Sequence, residues 1–153
     1  MTQRYPDRTA LMPGSFNPFT RGHASIVERG LALFDRIVIA IGHNASKEDE
    51  AAAVAARIAD IQRLYKDEPR VKVTSFDGLV VDAAAQAGAC ALLKGVRSVA
   101  DFEYERQMAD VNRRLSGIET VLLYSLPEYS SISSSMVREL QRYGVDVSEF
   151  LPQ

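Results

Sequence analysis

Ile37-Val38-Ile39-Ala40-Ile41 is an unbroken apolar run made almost wholly of β-branched residues. A strand at a sheet surface alternates apolar with polar side chains. A strand covered by helices on both faces does not, and reads instead as a continuous β-branched run. Working outward, Thr9-Ala10-Leu11-Met12 is a second short strand, ended by Pro13-Gly14. Val71-Lys72-Val73-Thr74-Ser75-Phe76 alternates, as expected nearer a sheet edge. Ala91-Leu92-Leu93 and Val121-Leu122-Leu123-Tyr124 predict two further buried strands.

The stretches between them carry helical spacing. His23 to Phe34 places Val27, Leu31 and Phe34 on one stripe, and Ala51 to Tyr65 does the same with Val54, Ile58, Ile61 and Leu64/Tyr65. Leu79 to Ala87, Val99 to Leu115 and Ser134 to Tyr143 complete the set, with Gly88 and Gly144 as stops. Strands alternating one-for-one with helices predict an α/β architecture: a Rossmann-like, doubly wound, five-stranded parallel sheet with helices on both faces. Nothing in residues 1–153 suggests a linker, a repeat or a low-complexity tract, so one domain is expected.

Composition bounds the function. The chain has 153 residues, 46% hydrophobic and 25% charged, with 18 basic and 20 acidic side chains. That is ordinary globular usage, and it excludes collagen-like, disulfide-framework and disordered classes. A net charge of −2 leaves no basic footprint for nucleic acid, so any anionic ligand must be met locally. Cys90 is the only cysteine, which rules out an internal disulfide or a cysteine metal cage. Its apolar neighbours predict a core position. No apolar stretch follows the basic residues of Met1 to Arg8, and no segment is long enough to span a bilayer, so no membrane role and a cytoplasmic location are expected.

Ligands of such sheets bind beyond the carboxyl ends of the strands, near helix N-termini, so the segments following strands carry the chemistry. Pro13-Gly14-Ser15-Phe16-Asn17-Pro18-Phe19-Thr20-Arg21-Gly22-His23 lacks both the dinucleotide glycine spacing and a Walker lysine. It offers Gly14 for close backbone approach, then Thr20, Gly22 and His23 at a helix start, where free N–H groups favour an anion. Ser46-Lys47 supplies a cation beyond the second strand, whereas His43 in that loop has no sequence partner and is given no role. Lys94-Gly95-Val96-Arg97 sets two cations around a glycine, a clamp for phosphate or carboxylate. Glu105, on the helix after it, has an exposed partner one turn away as its plain explanation. Five serines lie between Ser130 and Ser135, more than one cap needs, and form a polar nest suited to a triphosphate, with Arg138 adding charge.

Together these segments resemble the nucleotidyltransferase superfamily in its bacterial phosphopantetheine adenylyltransferase branch. Thr20-Arg21-Gly22-His23 matches its [H/T]-x-G-H motif, and Ile132-Ser133-Ser134-Ser135-Met136-Val137-Arg138 its late serine motif. Gly95-Val96-Arg97-Ser98-Val99-Ala100-Asp101-Phe102-Glu103-Tyr104-Glu105 matches the branch's G-[LV]-R-x-x-x-D-[FY]-E-x-E signature. The resemblance implies transfer of an adenylyl group from ATP to 4′-phosphopantetheine, giving dephospho-coenzyme A and pyrophosphate. It implies that His23, Lys47 and Thr20 are catalytic. It assigns ATP contacts to Ser15, Phe16, His23, Gly95, Val96, Arg97, Glu105, Tyr129, Ser130, Ser131, Ile132, Ser133, Ser134 and Ser135. Acceptor contacts fall on Ser15, Lys47, Val80 and Lys94. It also implies Mg2+ carried mainly by substrate phosphates with no protein-held metal, a homohexamer, and feedback inhibition by coenzyme A.

The sequence departs from the branch in three places. Lys94 replaces its usual arginine, Gly14-Ser15-Phe16-Asn17-Pro18 replaces G-T-F-D-P, and Ala51 to Arg57 replaces an F-[ST]-x-E-E-R segment, retaining only Arg57. Two alternatives stand beside this reading. One is a sister adenylyltransferase using another phosphate acceptor, such as nicotinate mononucleotide. The other is a non-catalytic adenine-nucleotide sensor.

Overall fold

The computed structural model describes residues 7–44 and 48–153. Five strands, β1 (Thr9–Gly14), β2 (Arg36–Gly42), β3 (Val71–Phe76), β4 (Ala91–Val96) and β5 (Glu119–Tyr124), alternate with five helices. The helices are α1 (Arg21–Gly30), α2 (Glu48–Leu64), α3 (Val80–Ala87), α4 (Val99–Ser116) and α5 (Ser134–Arg142). The sheet runs β3-β2-β1-β4-β5 with every pair parallel, as the β-branched run predicted. Order reverses between β1 and β4, so the chain crosses from one half of the sheet to the other there. A crevice for ligands opens at such a switch point.

The period of two along each central strand splits the core into two layers. Ala10 and Met12 of β1 join Ile37, Ile39 and Ile41 of β2 under Val27 of α1 and Val54 and Ile61 of α2. Leu11, Val38, Ala40 and Leu92 face the other way, under Ala83 and Ala84 of α3. Helix α4 lies on that second face, against α3, β4 and β5. Both glycine stops hold: Gly88 and Gly144 adopt left-handed φ values of 67° and 74° that close α3 and α5.

Three expectations need correction. The sole cysteine is exposed, because Cys90 precedes β4 in a connecting turn and only its backbone is engaged, donating to the Thr9 carbonyl at 2.8 Å. β5 is an edge strand, half-buried rather than enclosed, and its Tyr124 stands 74% exposed. The first helix begins at Arg21 and ends at Gly30; Phe34 is still buried, carried there by a turn.

Candidate active site

β1 delivers the chain to the centre of the sheet's carboxyl edge, and the next six residues form the floor of the site. Gly14 must be glycine here, since a Cβ would lie 2.9 Å from the Phe16 ring. Phe16 sits at φ 47°, a left-handed backbone that few large side chains adopt, and its ring is buried. The Asn17–Pro18 peptide bond is cis. The loop carbonyls are held from two helices. Arg57 of α2 donates to Ser15 O at 2.6 Å, while α5 supplies Arg138 to Asn17 O at 2.5 Å and Ser134 Oγ to Pro18 O at 2.8 Å.

Thr20 then caps α1, and its partner is His23. The His23 N–H donates to Thr20 Oγ1 at 3.4 Å, and the Thr20 N–H donates to His23 Nδ1 at 2.9 Å. This is a capping box with histidine in the position usually held by glutamate. Because Nδ1 accepts a backbone hydrogen bond, the ring proton of neutral His23 resides on Nε2. Phe16 meets the imidazole edge-on at 5.0 Å between centroids and Phe19 lies 5.3 Å away, fixing the ring plane. Burial, reinforced by the charges of Arg97 and Lys94, lowers the His23 pKa to about 4. The remaining edge of the ring opens on the cleft, so His23 is a neutral donor at pH 7.

β4 and α4 build the opposite wall. Gly95 lets α1 approach, since a Cβ there would strike Ile26 at 2.9 Å. Lys94 pairs with Glu105 at 3.3 Å, both side chains half-buried or deeper, and Arg97 pairs with Asp101 at 3.6 Å. The partner of Glu105 is therefore a strand-end lysine, not a neighbour on its own helix. α5 begins at a cap formed by Ser133, whose hydroxyl accepts from the Met136 N–H at 3.1 Å.

These parts enclose one continuous trough. A cleft of about 300 Å³ joins His23, Thr20 and Ser15 to Gly95, Arg97 and the Ile132 to Ser135 run. A second, of about 280 Å³, overlaps it and reaches Phe16, Lys94 and Glu105. Beyond Lys94 a chamber of about 210 Å³ continues between α3, α4 and the sheet, past Val80. Its inner wall is Leu92, Tyr104, Met108, Asn112 and Thr120, which sequence reasoning missed. The 104, 108, 112 spacing puts three of them on one helical face, the one signal that could have found them.

Not every expected residue reaches the trough. Val96 turns its side chain into the core at 3% exposure. Tyr129 borders a separate cleft beside Arg21 and Arg29, Ser130 donates to the Pro127 carbonyl, and Ser131 is exposed. Arg138 does border the His23 cleft, where its guanidinium also donates to the loop carbonyl of Asn17. Ser46 and Lys47 lie outside the described residues. Among the described residues, no three His, Cys, Asp or Glu side chains gather as a metal cage, and no helix is long and apolar enough to cross a membrane.

A parallel sheet whose carboxyl edge presents a buried neutral histidine, strand-end cations and a serine-capped helix, without a Walker loop, has the site features of the nucleotidyltransferase class. A family model described as cytidylyltransferase-like matches residues 11–140. Phosphopantetheine adenylyltransferases from Porphyromonas gingivalis and Bacteroides thetaiotaomicron are 54% and 49% identical to the chain. These alignments cover 94% of each sequence for the first, and 95% of this chain and 96% of the relative for the second. The same name belongs to a relative from Caldanaerobacter subterraneus at 44% identity over 95% of the chain and 91% of that relative. A solved structure from Vibrio parahaemolyticus, provisionally described as a nicotinate-nucleotide adenylyltransferase, superposes with a TM-score of 0.61 at 16% identity. It spans 97% of this chain and 95% of that one, and at such identity it speaks for the fold alone. The chain belongs to the cytidylyltransferase-like family and, within it, to the phosphopantetheine adenylyltransferases.

Proposed function

We propose that this chain, as one domain, transfers the adenylyl group of ATP to the phosphate of 4′-phosphopantetheine, releasing pyrophosphate and forming dephospho-coenzyme A. The observation that carries the reading is the continuity of the trough. A polar cleft at His23 leads past Lys94 into a chamber walled by Val80, Leu92 and Met108. That sequence of environments fits a triphosphate meeting a phosphate whose other end is a long, slender arm of short carbon segments joined by amides.

The acceptor phosphate is an anion at pH 7 and needs no general base. One of its oxygens attacks the α-phosphorus in line as the bond to the β-phosphate oxygen breaks, and the bonding pair leaves with pyrophosphate. Negative charge spreads over the non-bridging oxygens, so catalysis is positioning and charge stabilisation. His23 donates from Nε2 to the α-phosphate, because its other nitrogen is occupied by the Thr20 N–H. Thr20 acts by holding that ring. Lys47, by the family resemblance, supplies a further cation to the phosphates. Gly95, the backbone of Val96, Arg97, Glu105 and the Tyr129 to Ser135 segment receive adenosine and phosphates, with Tyr129, Ser130 and Ser131 shaping the turn that precedes the Ser133 cap. Ser15, Val80 and Lys94 hold the acceptor.

A divalent ion, Mg2+ in this reading, fits as a passenger of the substrate phosphates, since the described acidic residues are paired with cations or dispersed. When bound it offsets phosphate charge. Val99, Val111 and Leu115 stand exposed along α4, at 81, 46 and 58%, a surface that assembly of the proposed homohexamer would cover. Coenzyme A carries the same arm and would compete for the chamber, and a cytoplasmic site of action follows from these substrates.

The test is an acceptor screen. Purified protein with ATP and Mg2+ should release pyrophosphate with 4′-phosphopantetheine and not with nicotinate mononucleotide. Release only with the latter would replace the acceptor, and nucleotide binding without release would leave a sensor.

A further inference from the structure

Arg57 belongs to the segment of α2 where the sequence departs from its branch. Its helix is anchored by Val54 and Ile61, both buried in the first core layer, and Arg57 lies on the flank of that stripe. Among the described residues it forms no ion pair; its guanidinium instead donates to the carbonyl of Ser15 at 2.6 Å. A trans peptide points its carbonyl and the following N–H in opposite directions. The Ser15 carbonyl faces the α2 side, where Arg57, Phe16 and Pro18 border a separate hollow. The Phe16 N–H therefore faces the other side, toward the cleft lined by Ser15, His23, Lys94 and Arg97. No hydrogen bond among the described residues engages that N–H.

From this geometry we infer that Arg57 is a positioning residue, which locks the Ser15–Phe16 peptide so that the Phe16 N–H points at the reacting phosphates. Three facts require such a lock. Phe16 holds a left-handed φ of 47°, which a free loop would leave. The other held carbonyls, Asn17 and Pro18, are tied from α5, so Arg57 is the tie from α2. The Phe16 ring lies edge-on against His23, so a turned peptide would also shift the imidazole.

The inference rests on the adenylyl-transfer reading, and its test keeps the two apart. Arg57→Ala is expected to lower kcat about 10- to 100-fold, the cost of misplacing one oriented donor, with KM for ATP and acceptor within about threefold. Arg57→Lys, which retains a donor, is expected to recover most of that loss. The Phe16 amide resonance in a 15N-labelled protein should move on adding ATP and Mg2+. In Arg57→Ala it should already be displaced without ligand and no longer respond. Should Arg57→Ala fail to fold, Arg57→Met keeps the aliphatic stem and makes the same comparison. An unchanged kcat, or a raised KM at constant kcat, would overturn the positioning role, the latter marking Arg57 as a direct phosphate ligand. The ATP arm of the amide experiment needs no acceptor, so it decides the point even if phosphopantetheine proves not to be the substrate.

Discussion

Helices α1 and α4 flank the same strand ends but spend their side chains in opposite ways. α1 has ten residues and buries four of them, Ser25, Ile26, Val27 and Gly30, while its first turn holds Thr20 and His23 over the cleft. α4 has eighteen and buries none. Its inward side bears Glu105, paired with Lys94, and Asn112 at the chamber wall, whereas Val99, Val111 and Leu115 face outward. An apolar residue in a sequence marks a surface to be covered, but it does not name the cover. In α1 the cover is the chain's own sheet. In α4 it is, in our reading, another copy.

The comparison breaks most visibly at His23. Replacing it with alanine should lower turnover at least about 100-fold, the scale of losing one oriented transition-state donor, and leave ATP affinity within tenfold. Undiminished turnover, measured by pyrophosphate release, would move the catalytic weight away from α1. The reverse experiment charges α4. Val111→Glu places a carboxylate on the outward face and should shift sedimentation from an oligomer to a monomer with the helical circular dichroism retained. A wild-type chain that already sediments as a monomer would remove the contrast.

A smaller effect sharpens the α1 side. His23 is held at about 4 when folded, against about 6.5 in an unfolded chain. Between those values the unfolded chain takes up the proton first, so stability contributed by neutral His23 is complete above 6.5 and declines as pH falls toward 4. Thermal unfolding should show a drop of a few degrees across that window. In His23→Ala that part of the slope should vanish, and an identical slope would mean other groups titrate there.

Nearly the whole fold was legible, for reasons that sit in particular residues. The β-branched run at Ile37 to Ile41 required cover on both faces, and Gly88 and Gly144 fixed two helix ends. The sequence misled at Cys90 and β5, because apolar letters near a strand do not reveal whether a turn or a sheet edge follows. Of the site, the motifs placed Thr20, His23, Lys94, Arg97 and Ser133 to Ser135 at one edge, and the structure brings them together. What stayed illegible depends on tertiary distance: the Lys94–Glu105 pair, the Arg57 and Arg138 ties to loop carbonyls, and the chamber wall at Leu92 and Thr120. These contacts join residues far apart in sequence or on different elements, and no local spacing encodes them.

Tracing the α-phosphorus tests the central claim most directly. With ATP labelled at the α-position and 4′-phosphopantetheine as acceptor, the label is predicted to appear in dephospho-coenzyme A, with unlabelled pyrophosphate in equal amount. Label retained in ADP or released as AMP, with no labelled dephospho-coenzyme A, would contradict it.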